Sequence, residues 1–318
     1  MLIKRRRGWE LPESAATPEA LVLGRRQGMA LGAGMAAALV SPLVSQPAEA
    51  QSALPELPAM RNPRFPGGRA LTAEREATTF NNFYEFGTDK AISRLAQRMP
   101  LSPWTMKVDG MVARPAEFDA DDLRRRLPLE ERVYRLRCVE AWGMTVPWTG
   151  FPLAALLAMV QPLPTAKYVV FETARLPAVM PGLRQSWYPW PYTEGCTIEE
   201  AQNELSFLAV GLYGKHLPQQ NGGPVRVLFP WKYGFKSGKS FSRITLTDRR
   251  PVGFWERIQG QEYGFWANVN PEVAHPRWSQ ATERLLGSNE RVPTQLFNGY
   301  GEFVAGLYTG LAQERLWT

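Results

Sequence analysis

The chain has 318 residues, 44% hydrophobic and 21% charged, with a formal net charge of +7, enough for one large domain or two modest ones around a sizeable core. Its two cysteines are too few for a structural zinc site, its two histidines (His216, His275) leave at most one pair of axial haem ligands, and C-x-x-C-H is absent. Beyond residue 50 there is no dense Lys/Arg stripe, which excludes a nucleic-acid surface, and the 27 Pro and 11 Trp suit a loop-rich fold with clefts.

Residues 1–50 read as an address. Arg25-Arg26 precedes an uncharged apolar stretch, Gly28 to Val44, and Ala48-Glu49-Ala50 supplies a small-residue cleavage pattern. The paired arginines specify twin-arginine (Tat) export, with Gly24 and Gly28 departing from the usual residues around the pair. The stretch is 17 residues long and interrupted by Ser41-Pro42, short of the roughly 20 residues of a membrane span. Cleavage after Ala50 leaves a mature chain for the periplasm, carried there by the Tat machinery.

In the mature chain, 51–70 is Pro-rich and predicts an irregular arm, with a single domain over 71–318. Asn81 to Phe86 alternates polar and aromatic residues. Trp104 to Val108 predicts a strand and Asp109-Gly110 a tight turn. Asp119 to Leu127 predicts a short helix with an acidic start that carries Arg124-Arg125-Arg126. Val133 to Arg137 predicts a strand leading into Cys138. Pro152 to Val160 predicts an apolar helix with proline at its start, and Lys167 to Glu172 a buried strand. Thr197-x-x-Glu200 is a capping box. Phe207–Leu212, Val225–Phe229 and Ser242–Thr247 predict further strands, and the sequence beyond 250 is aromatic and irregular. No internal repeat, P-loop or G-x-G-x-x-G occurs. The sum is a mixed α+β fold of short strands, short helices and many loops.

Two places carry chemistry. Cys138 follows Arg137, and a neighbouring cation favours the thiolate, the form that binds a soft or high-valent transition metal. A disulfide to Cys196, an inert buried thiol, and a nucleophile served by one of the histidines stand beside that reading. Asn221-Gly222-Gly223-Pro224-Val225-Arg226 predicts a tight turn whose amides and Arg fork suit an anion. Pro230 to Ser240 adds Lys232, Lys236, Lys239 and Ser237 in a Gly-containing loop that suits a phosphate or, alternatively, a solvated surface.

The segments Asn81-Asn82-Phe83-Tyr84-Glu85, Arg137-Cys138-Val139-Glu140 and Asn221 to Ser240 occur in this order after a twin-arginine signal. Together they resemble the molybdopterin-binding domain of the sulfite oxidase superfamily over roughly residues 60–300, and within it the catalytic subunits of bacterial periplasmic protein-methionine-sulfoxide reductases. The resemblance implies the sulfite-oxidase-like fold and a Mo-molybdopterin cofactor with no haem and no nucleotide extension. It implies Cys138 as the molybdenum ligand and catalytic residue. It further implies cofactor contacts from Asn81, Tyr84, Glu85, Thr173, Asn221, Arg226, Ser237, Gly238 and Lys239, and leaves Cys196 without a role.

The activity implied by the resemblance is reduction of methionine sulfoxide in oxidised periplasmic proteins. Electrons would come from a haem-containing membrane subunit fed by the quinone pool. The cofactor motifs do not separate this substrate from sulfite or a small S- or N-oxide. A metal-free exported binding protein stapled by Cys138–Cys196 is the alternative of another class.

Overall fold

In chain order the strands are β1 (Met60–Pro66), β2 (Thr105–Gly110), β3 (Ala116–Asp119), β4 (Glu130–Cys138), β5 (Trp142–Pro152), β6 (Tyr168–Thr173), β7 (Thr193–Thr197), β8 (Phe207–Leu212), β9 (Lys215–His216), β10 (Arg226–Leu228), β11 (Phe241–Thr247), β12 (Thr282–Leu285) and β13 (Arg291–Pro293). They come from a computed structural model that describes residues 54–317. The expected export signal at 1–50 lies outside the described residues. From Leu54 onward the chain is one compact unit.

Two sheets organise it. The larger runs β1-β4-β5-β12-β13, and β5 also pairs with β8, which carries β9 and β10. The smaller runs β3-β2-β11-β6-β7. Short strands dominate, with few and short helices, so the α+β expectation holds. Among the described residues no helix is long and apolar enough to cross a membrane.

Local signals hold where they depend on near neighbours. Asp119 accepts the N–H groups of Asp121 and Asp122 and caps the helix Ala120–Arg126, whose last turn carries the three arginines at the negative end of the helix dipole. The helix Leu153–Val160 buries Leu153, Leu156, Leu157 and Val160, the spacing of a single helix face, with Pro152 just ahead of it. Thr197 and Glu200 form the capping box of the helix Ile198–Gln202.

Three expectations change. The segment expected as an irregular arm contains β1, which pairs in parallel with β4. Asp109-Gly110 is no turn: β2 runs through Gly110 because β11 lies alongside, and Met111 N–H still donates to the Leu246 carbonyl at 2.8 Å. The central strand β5 has no counterpart among the predicted elements, and its residues include Gly143, Pro147 and Gly150 as well as the Pro152 expected to open a helix. In the fold Pro147 joins through its carbonyl, which accepts Tyr213 N–H at 3.1 Å, and Gly150 is required because a Cβ there would collide with the Leu208 carbonyl of β8. β5 is therefore clamped between β4 and β8 and buried along nearly its whole length.

Candidate active site

The C-terminal ends of β4 and β6 and the loop between β10 and β11 open onto one cleft of about 850 Å³. Cys138 ends β4, Thr173 ends β6, Arg226 begins β10, and Ser237, Gly238 and Lys239 come from the loop before β11. Asn81, Tyr84 and Glu85 reach the same cleft from the segment after the helix Glu74–Thr79. Nine of the ten residues singled out from the sequence thus line a single space, although they are spread from 81 to 239 along the chain.

Asn221 is the exception. It is fully buried behind the wall, its Nδ2 donating to the Ala77 carbonyl at 2.9 Å, while Asn81 Nδ2 approaches the same carbonyl at 3.2 Å. The amides expected to cradle an anion are also spent inside the fold: Gly222 N–H donates to the Gln219 carbonyl and Gly223 N–H to that of Pro218. The turn instead positions cations. Asn221 O accepts from Arg226 Nη1 at 2.9 Å, and Lys239 packs on Gly222 and bridges to Arg226.

The lysine-rich loop is a buried structure rather than a solvated one, and its lysines part company. Lys232 pairs with Glu200, and Lys236 Nζ lies 2.7 Å from Glu194, both deep in the core. Only Lys239 faces the cleft, over the Phe83 ring. Burial lowers the pKa of Lys239, and the neighbouring Arg226 lowers it further. Burial likewise pushes the Arg226 guanidinium down to about 9. Across from them, burial pushes the Glu85 carboxyl up. Two cations facing one reluctant acid leave a surplus of positive charge in a low-dielectric pocket.

The same wall holds polar atoms without a partner among the described residues: Asn81 Oδ1, Glu85 Oε1 and Arg226 Nε. Buried groups in this condition ask for a ligand. Donors, acceptors and net positive charge together fit a flat polar ring system carrying a phosphate.

Cys138 is 7% exposed and its sulfur accepts from Glu140 N–H at 3.5 Å and from Asn82 Nδ2 at 3.6 Å. The expected help from Arg137 is present but outweighed. Its guanidinium turns into the core, where Nε lies 2.7 Å from Glu283 and the remaining N–H groups meet Gln280, Thr294 and the Cys138 carbonyl. Burial, with the Glu140 carboxylate nearby, instead pushes the thiol up to about 12. A thiol of that kind is no free nucleophile, whereas coordination to a metal deprotonates it outright. Cys138 and Cys196 are both free thiols in different sheets, so the disulfide-stapled alternative falls.

Other cleft residues did not stand out in the sequence. Asn82 and Glu140 sit inside the quoted segments, and Lys90 holds Glu140 at 2.8 Å. Phe235 lies in the quoted Pro230–Ser240 loop, and Tyr192, Trp255 and Tyr263 line the cleft from distant stretches whose only signal was aromatic content.

A family model described as an oxidoreductase molybdopterin binding domain matches residues 95–255. The chain is 47% identical over 313 residues to the protein-methionine-sulfoxide reductase catalytic subunit MsrP of Burkholderia mallei, across 96% of this chain and 95% of that one. The crystal structure of the sulfane dehydrogenase SoxCD from Paracoccus pantotrophus is a more distant likeness, 18% identical with a TM-score of 0.42, covering 66% of this chain and 58% of that one.

Proposed function

The chain belongs to the oxidoreductase molybdopterin-binding family, and on that premise we propose that it is the catalytic subunit of a reductase returning methionine sulfoxide residues of periplasmic proteins to methionine. The observation that carries this reading is the cleft, where one buried thiol faces two unpaired cations and a row of orphaned polar atoms. The relative from Burkholderia mallei is named for the same reaction.

In net terms the sulfoxide takes up two electrons and two protons and leaves as thioether and water. When bound, the molybdenum cofactor supplies two-electron oxygen-atom transfer. The protein's residues hold and shape that site. Cys138 Sγ is the metal ligand, and the donors Glu140 N–H and Asn82 Nδ2 stabilise negative charge on the sulfur. Arg226 and Lys239 would hold the phosphate. Asn81, Tyr84, Glu85, Thr173, Ser237 and Gly238 line the same cleft and would hold the polar ring system, and Asn221 holds Arg226 in place. Phe80, Trp142, Trp255 and Tyr263 line the same cleft and give a bound sulfoxide an apolar wall. Electrons come from a haem-containing membrane subunit fed by the quinone pool, and the Tat signal at 1–50 delivers the folded, loaded protein to the periplasm.

Metal analysis and turnover test the reading together. Purified protein should carry stoichiometric molybdenum and oxidise a reduced viologen dye with a methionine-sulfoxide peptide, and it should not reduce ferricyanide with sulfite as the electron donor. Cys138→Ser should cut turnover by roughly a thousandfold, about 4 kcal/mol in barrier. Full activity in that variant refutes the ligand role. Sulfite turnover in place of peptide turnover moves the enzyme to another substrate, and protein without molybdenum sinks the whole reading.

A further inference from the structure

The turn that carries Cys138 is held from outside the cleft. It links β4 to β5, with Cys138 opposite Trp142 and Ala141 in the left-handed region at φ 60°. The loop before β12 packs behind it. Trp278 Nε1 and Gln280 Nε2 both donate to the Val139 carbonyl, each at 2.8 Å. Neither residue lines the cleft, and Gln280 is 2% exposed.

The Val139 carbonyl shares its peptide unit with the Glu140 N–H. A trans peptide is planar, so these two groups point in opposite directions. Whatever fixes the carbonyl therefore aims the N–H, and that N–H donates to Cys138 Sγ at 3.5 Å. Two donors on the carbonyl also polarise the unit, which strengthens its N–H as a donor.

The residue types fit this task. Gln280 Oε1 accepts from Arg137 Nη2 at 2.7 Å while its Nε2 serves Val139. Arginine only donates and a carbonyl only accepts, so the side chain between them needs an acceptor and a donor on one head. Glutamine has both, whereas an ionised glutamate, a lysine or a methionine does not. Arg137 is itself anchored by Glu283 of β12 at 2.7 Å, and the Trp278 ring is stacked on His275 at 3.8 Å. Both donors to Val139 are thus fixed by neighbours of their own.

We propose that Gln280 and Trp278 are positioning residues that aim the Val139–Glu140 peptide at the sulfur of Cys138 and so tune the metal bound there. A donor to a ligand sulfur draws off negative charge and favours the reduced metal. This rests on the ligand reading of Cys138 above and adds to it two residues that act through the backbone, from outside the cleft.

The test compares cofactor-loaded wild type, Gln280→Met and Trp278→Phe by redox titration of the molybdenum signal and by amide hydrogen exchange. The potential should fall in both variants, further in Gln280→Met. Exchange at the Glu140 amide should quicken about tenfold in Gln280→Met and about threefold in Trp278→Phe, while the amides of β6 and β7 stay within about twofold. Trp278→Phe keeps the ring at a half-buried position, so it decides the matter should Gln280→Met fold poorly. An unchanged potential, unchanged exchange at Glu140, or a rise shared equally by β6 and β7 overturns the proposal. Wild-type protein that binds no molybdenum refutes the ligand reading instead. Exchange at Glu140 in that protein then still decides whether these two side chains hold the peptide.

Discussion

Lys232 and Lys236 differ from Lys239 although a few residues separate them. The first two are buried and matched: Lys232 meets Glu200, the Trp266 carbonyl at 2.8 Å and Asn268 Oδ1 at 2.9 Å, and Lys236 meets Glu194. Lys239 has no ion pair among the described residues and stands beside a second cation, Arg226. Glu200 shows how thoroughly the structural group is satisfied, since it also accepts Tyr308 O–H at 2.6 Å and caps its own helix. Charges that hold the fold are neutralised within it, whereas charges left unneutralised at a cleft await a ligand.

Breaking the matched set should produce the largest effect. Glu200→Gln strands Lys232 in the core and should cost about 3–5 kcal/mol in urea unfolding, because a buried charge loses its partner. Lys239→Met should behave in the opposite way. Stability of the cofactor-free protein should change by less than about 1 kcal/mol, while retention of the cofactor, read as molybdenum per chain after dialysis, should fall about 10- to 100-fold through loss of a charge-assisted contact. If Lys239→Met unfolds the protein as Glu200→Gln does, the distinction between the two sets fails.

A pH scan sharpens the same contrast from the acid side. Burial pushes the Glu85 carboxyl up to about 7 from an ordinary value of 4.5. The folded state therefore keeps this proton to higher pH than the unfolded chain does. Its contribution to stability is fully present below the ordinary value and is lost as pH rises to about 7. The Tm of cofactor-free protein should fall over that window, and Glu85→Gln should flatten the slope. Smallest of all, Asn82→Ala removes the donor 3.6 Å from Cys138 Sγ, worth about 1 kcal/mol or less. It should leave Tm unchanged and move the reduction potential of the bound metal, read by titration of its electronic spectrum.

Much of the site was legible because its residues cluster in short segments of distinctive composition. Cys138, the Asn81–Glu85 stretch and the Ser237–Lys239 loop were each visible locally, and the fold brings all of them to one cleft. The aromatic wall was not legible, since Tyr192, Trp255 and Tyr263 reach the cleft from separate stretches and no spacing rule links them. The missed β5 has the same cause. Its glycines and prolines look like breakers until β4 and β8 supply the partners that make Gly150 necessary and Pro147 harmless.

By itself the sequence determined what acts at short range: the caps at Asp119 and Thr197, the buried stripe of the helix Leu153–Val160, the strand ending in Cys138, and the chemical kinds of side chain that the cleft would hold. Only the tertiary structure decided which charges are matched. It set Glu283 against Arg137 and buried the thiol beside Glu140, so that the cation expected to activate Cys138 is outweighed, and it kept Cys138 and Cys196 in separate sheets as free thiols. It turned two lysines of one loop inward and left the third facing the cleft. The physical reason is that a charge's effect depends on its burial and on what stands within a few ångströms, and both are set by contacts between residues far apart in the chain.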